Sequence, residues 1–156
     1  MFPCMALKQI PYDSLADYIG QEVGVSDWHD VTQEDVNTFA KVTRDEQWIH
    51  IDVERCKTDS PFGCTVAHGF YTLSLAPYLL AQIWEVTGTK MVVNYGCEKM
   101  RFPAPVPIPS RIRARATFQA IKEVPGCKQL TVAISIETEK GDKPVLAIES
   151  VMRYYG

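Results

Sequence analysis

Apolar and polar positions change period along this chain, and the changes mark its elements. Between Gln33 and Val42, the apolar residues Val36, Phe39 and Ala40 fall at the i, i+3, i+4 spacing of one helix face. Thr32, with Asp35 three residues on, is placed to cap that helix as a capping box with Asp in place of Glu. A shorter helix is expected over 13–19, broken afterwards by Gly20 and Gly24. Residues 45–59 are polar and irregular, with room for one helical turn over 53–56. From 68 to 86 the chain is apolar nearly all round: Phe70, Leu73, Leu75, Leu79, Leu80, Ile83 and Trp84. That pattern predicts a buried helix, kinked at Pro77 and ended by Gly88.

Past Gly88 the period falls to two. Residues 91–101, 111–124, 128–139 and 144–155 read as strands, with tight turns at Pro125-Gly126 and Gly141-Asp142. Four prolines, Pro103, Pro105, Pro107 and Pro109, make 102–109 a rigid extended connector. Strands joined by short turns form an antiparallel meander. The expected class is α+β: a long antiparallel sheet wrapped around one central buried helix.

At 156 residues the chain is expected to be a single domain over 1–156. Sixteen Lys+Arg against nineteen Asp+Glu give a net charge of −3, which argues against a nucleic-acid partner. No stretch of about 18 uncharged apolar residues offers a membrane span, and the first five residues lack the basic-then-apolar form of a secretory signal. A cytoplasmic, soluble protein is expected. The balance hides an asymmetry. Residues 1–97 hold 13 acids and 6 bases (−7), and 98–156 hold 6 acids and 10 bases (+4). Arg111, Arg113 and Arg115 alternate with small or apolar residues, so a strand puts all three on one face. That face is either a solvated outer surface or a landing strip for a phosphorylated carrier such as coenzyme A.

Five cysteines (Cys4, Cys56, Cys64, Cys97, Cys127) form no CxxC pair, and no two of His29, His50 and His68 stand at i, i+4. Neither a disulfide framework nor a metal site is expected. None of the cysteines is expected to be catalytic.

Chemistry-bearing residues concentrate in two stretches, 43–52 and 61–70. Asp45 follows a helix end, and His50 lies five residues on across a loop that can turn both side chains to one point. A carboxylate and an imidazole around one water supply acid–base capacity near neutral pH. His68-Gly69 opens the long apolar helix, so the Gly69 amide is an unpaired donor with the helix dipole behind it. Such an amide polarises a carbonyl oxygen. The same residues also admit purely structural roles: Asp45 capping a helix, His50 hydrogen-bonded in place, His68 satisfying a helix end.

Phe39-Ala40, Thr43-Arg44-Asp45, Ile49-His50-Ile51-Asp52, Phe62-Gly63 and Ala67-His68-Gly69 resemble the MaoC-like dehydratases, or (R)-specific enoyl-thioester hydratases. Gln47-Trp48, Thr72-Leu73-Ser74-Leu75, Asn94-Tyr95-Gly96 and 101–106 are similar to the NodN-like branch, named after a nodulation protein. The resemblance runs over about 20–154. It implies a hot-dog fold, and a homodimer with its active site at the interface. It also implies (R)-specific hydration or dehydration of a trans-2-enoyl thioester, carried by coenzyme A or acyl carrier protein, without a cofactor. By position it makes Asp45 and His50 catalytic, gives the thioester carbonyl to the Gly69 amide, and leaves Gln47 as a substrate-binding candidate. Three residues depart from the commoner pattern. Arg44 replaces a glycine before the catalytic Asp, Gln47-Trp48 replaces Asn-Pro, and Pro77 stands where some hydratases hold the water with a serine. A hot-dog thioesterase and a non-catalytic acyl-thioester-binding module are the alternative functions on the same fold.

Overall fold

The computed structural model describes residues 7–156. Cys4, and the first residues on which the leader expectation rests, lie outside the described residues. In chain order the elements are β1 (Lys8–Pro11), a 3-10 helix (Tyr12–Tyr18), β2 (Glu22–Val25), β3 (His29–Val31), α1 (Gln33–Thr43), α2 (Trp48–Ile51), α3 (Val53–Asp59), α4 (Gly69–Leu80), β4 (Trp84–Thr87), β5 (Met91–Arg101), β6 (Ser110–Val124), β7 (Cys127–Thr138) and β8 (Leu146–Tyr155).

The three C-terminal strands form the expected meander, and the sheet grows outward on both sides in the order β2-β6-β7-β8-β5. β3 also pairs with β6, through His29 opposite Ile112. Alternation along β6 turns Ile112, Ala114, Ala116 and Phe118 inward, all fully buried. They meet Leu130, Val132 and Ile136 from β7, Leu146 from β8 and Leu79 from α4 in one core. The sheet curls round α4, so the α+β layout read from the periodicity is the one observed.

On the outer face of β6 the three arginines are matched by acids. Arg113 stands opposite Glu137 in the register and bonds it at 2.5 Å. Arg115 lies 2.9 Å from Glu22, and Arg111 lies 3.9 Å from Glu139. Trp28 covers Arg113, whose guanidinium carbon is 4.4 Å from the ring centroid. The stripe is a set of cross-strand ion pairs on a partly exposed surface, which leaves little uncompensated charge to receive a phosphate.

Two expectations about helices need correction. The long apolar run does not stay helical to Val86: α4 ends at Leu80, and Trp84–Thr87 is a strand lying parallel to β1. Pro77 stands in the last turn of α4, and a continuous apolar run cannot itself distinguish a buried helix from a buried strand. Nor is α4 buried on every side. Phe70 is 62% and Tyr78 54% exposed, with Ser74 and Pro77 open on the same face. The sheet covers only one side of the helix. The stretch 45–59, expected to hold one turn, holds two short helices, α2 and α3, the second capped by the Asp52 carboxylate accepting from Arg55 N–H at 3.0 Å.

Candidate functional site

The site is built where α1 ends and α4 begins. α1 starts as the capping pattern predicts, with the Thr32 hydroxyl accepting from the Asp35 N–H at 3.2 Å. It also donates to the Asp35 carboxylate at 2.7 Å. The helix stops at Thr43 because Arg44 adopts the left-handed conformation, φ 65° and ψ 17°. That reversal delivers Asp45, exposed, to the mouth of the site. A glycine takes this conformation without strain, whereas any side chain costs energy there. The departure at Arg44 therefore lies in the backbone. Among the described residues its guanidinium forms no ion pair, with Asp45 or with any other acid.

His50 sits in α2, 8% exposed. Its Nδ1 lies 2.6 Å from the Val66 carbonyl oxygen, which only accepts, so Nδ1 carries the hydrogen and Nε2 is left with its lone pair. The surrounding backbone is pinned from two sides. Val66 N–H donates to Ile49 O at 3.1 Å, and the Gln33 amide donates to His50 O at 2.7 Å. Gln33 in turn accepts from the Thr65 hydroxyl at 2.5 Å. Burial, the largest influence, and the nearby His68 hold the His50 pKa below its ordinary 6.5, against the opposing pull of Val66 O and Asp45.

The Gly69 N–H opens α4 and has no acceptor among the described residues, as expected of a first-turn amide. The space that a Gly69 side chain would fill is taken by the Phe102 ring, 2.9 Å from where a Cβ would stand. A larger residue at 69 would have to push this ring aside; with Phe62, Thr72 and Val106 the ring lines a groove of about 270 Å³ beside the amide. A larger cavity of about 430 Å³ lies one turn further along α4, between that helix and the sheet, lined by Leu73, Ala76, Pro77, Leu80, Ile148 and Met152 among others.

Asp45, His50 and His68 converge: one oxygen or nitrogen from each lies within 4.8 Å of the others. Hydrogen bonds of about 2.8 Å space the partners of one water by about 4.5 Å, so this span accommodates a water. The same three groups are also the candidate ligand set for a cation among the described residues. The sequence missed this set because the histidines meet across the fold, not along one helix face. Asp45 and His50, expected to act together with Gly69, are therefore close in space, and Gly69 directly follows His68 at the head of α4. Gln47 is exposed at the start of α2, where its carbonyl accepts from His50 N–H at 3.0 Å. Gln33 was not foreseen, because a first-turn glutamine carries no signal of its own. Among the described cysteines, Cys56 and Cys127 are buried, Cys64 is half-buried and Cys97 is exposed.

Comparison with known proteins gives concordant likenesses. A family profile described as "MaoC like domain" matches residues 14–140. The chain is 47% identical to 3-hydroxyacyl-thioester dehydratase Z of Mycobacterium tuberculosis, over 92% of this chain and 97% of that protein. It is 39% identical to nodulation protein N of Rhizobium leguminosarum bv. viciae, covering 85% and 86% of the two chains. An unliganded (R)-hydratase from Pseudomonas aeruginosa, 21% identical, superposes with a TM-score of 0.74 over 96% of this chain and 88% of that one, and shares its hot-dog fold.

Proposed function

The chain belongs to the MaoC-like dehydratase family, and from that premise we propose that it catalyses the reversible (R)-specific hydration of a trans-2-enoyl thioester to the (R)-3-hydroxyacyl thioester. The observation that carries the reading is the placement of the Asp45 carboxylate and the His50 ring at one water's span beside the free amide at the head of α4.

In the forward direction the thioester carbonyl accepts from Gly69 N–H. That bond strengthens as the C2–C3 double bond is attacked and charge moves onto oxygen, assisted by the α4 dipole. A water held by Asp45 and His50 adds its oxygen to C3. One of its protons passes to the dyad, and a proton is returned from the dyad to C2 on the same face, so the sum is addition of one water. The His50 Nε2 lone pair, kept available by the bond from Nδ1 to Val66, suits it to accept a proton. No cofactor or metal enters these steps. Pro77 offers no hydroxyl to the water, and the neighbouring Ser74 hydroxyl is spent on Phe70 O at 2.6 Å. Water placement is thus left to the dyad.

The acyl tail is assigned to the cavity between α4 and the sheet, reached by following the helix from Gly69. The carrier, coenzyme A or acyl carrier protein, remains outside, and the reaction is assigned to the cytoplasm. Among the described residues no helix is long and apolar enough to cross a membrane. Gln47, exposed at the start of α2, is assigned to substrate binding. A homodimer completes the proposal, supported by the open face of α4 and by Met91, Val92 and Tyr95 exposed on the edge strand β5. The direct test follows a crotonyl thioester by absorbance and free thiol together. Hydration removes the enoyl absorbance without releasing thiol; thiol release would overturn the assignment in favour of hydrolysis.

A further inference from the structure

His68 is almost wholly buried, 2% exposed, and its ring engages both members of the dyad. Nε2 lies 2.9 Å from the Asp45 carbonyl oxygen, so it carries the hydrogen and donates. This ties the exposed loop that bears the Asp45 carboxylate to the head of α4. The ring face stacks on His50, with centroids 3.8 Å apart and planes 25° from parallel. Phe39 from α1 closes the other approach, 5.0 Å away. The remaining nitrogen, Nδ1, is buried with no hydrogen-bond partner among the described residues. One ring thus touches both dyad members while being neither.

We propose that His68 is a positioning residue for the hydration reaction: it anchors the Asp45 loop through Nε2–H, and its stacked ring holds the His50 ring in place. The inference rests on the reading of Asp45 and His50 as the reacting dyad. Its physical basis is simple. Asp45 is exposed and follows a residue in a strained backbone conformation, so its fixed carbonyl, together with the longer 3.4 Å bond from its N–H to the Thr43 hydroxyl, limits the wander of its carboxylate. Two imidazoles face to face at this distance repel a second proton. His50 is thereby kept unprotonated to lower pH than it would be alone, the direction in which His68 acts on it. The titratable groups bearing on His50 are His68 from the head of α4 and Asp45 from the loop after α1. From α1 comes only the neutral Gln33 amide, from the segment before α4 only the Val66 carbonyl, and Cys56 of α3 is directed to the carbonyls of Trp48 and Ile49.

The test combines two variants with one measurement on the parent. His68→Gln keeps an amide donor near the Nε2 position and removes the second imidazole. It should retain turnover within about 10-fold and move the acidic limb of the kcat/KM profile to higher pH. His68→Phe keeps a ring and removes the donor. It should lower kcat by about 10- to 100-fold, the usual result of a misplaced reacting group, with the same shift of the limb. In the parent, imidazole nitrogen shifts near neutral pH should show hydrogen on Nε2 of His68 and on Nδ1 of His50, and in His68→Gln the His50 titration should move upward. Because the nitrogen shifts need neither a variant nor turnover, they test the inference even if buried substitutions unfold the protein. Hydrogen on Nδ1 of His68, or a His50 titration and acidic limb unmoved in folded His68→Gln, would overturn it while leaving the dyad intact. A parent without hydratase activity would instead overturn the proposed reaction, with the titration still deciding the role of His68.

Discussion

At the scale of single residues, Arg44 and His50 carry the sharpest expectations. Arg44 holds a backbone conformation in which a side chain costs about 1 kcal/mol more than glycine. Arg44→Gly should therefore raise stability by about that amount, read as a higher urea midpoint at unchanged slope, and leave turnover intact because the guanidinium holds no acid among the described residues. His50 supplies a pH dependence. Above its ordinary pKa of 6.5 the ring is neutral in the folded and the unfolded chain alike, and proton uptake plays no part in stability. As pH falls through 6.5 the unfolded chain takes a proton that the fold resists, so stability is lost downward from there and the loss levels off below the folded value. Between about pH 7.5 and 5.5 the parent should lose more stability than His50→Gln, in urea melts at each pH.

At the scale of elements, caps and turns were readable and contacts between distant segments were not. Thr32 caps α1 as its spacing indicates, and Thr32→Ala should cost about 1 kcal/mol in a denaturant melt, with the loss traced to α1 by faster amide exchange. The long strands of the meander matched their alternation because each has one buried face. The short strands β1 to β4 escaped notice. Each is three or four residues long and exists because a partner is present: β4 because β1 lies beside it, β3 because β6 does. α4 was foreseen as buried all round because its sequence is apolar all round, yet Phe70 and Tyr78 stand in the open. Asp45 and His50 were legible as a pair across one loop. The stacking of His68 on His50 was not, since it depends on the Val66 and Asp45 carbonyls fixing the two rings in place.

At the scale of the whole molecule, the sheet has an open edge and α4 has an open face on the side of β5. Exposed apolar residues on both are what a second copy would cover. Sedimentation across micromolar concentrations should show a dimer or a dimer of dimers, and Val92→Lys should shift it toward monomer. A monomeric parent at every concentration would contradict the proposed assembly.

The central claim is that Asp45 and His50 together perform the hydration. It is tested most directly by the rate at which enoyl absorbance of crotonyl-coenzyme A is lost with the parent, Asp45→Asn and His50→Ala side by side, each shown to be folded. The parent should hydrate, and the two variants should be slowed by about 10²- to 10⁴-fold, the range for acid–base groups. Folded variants that hydrate at the parent's rate would contradict it.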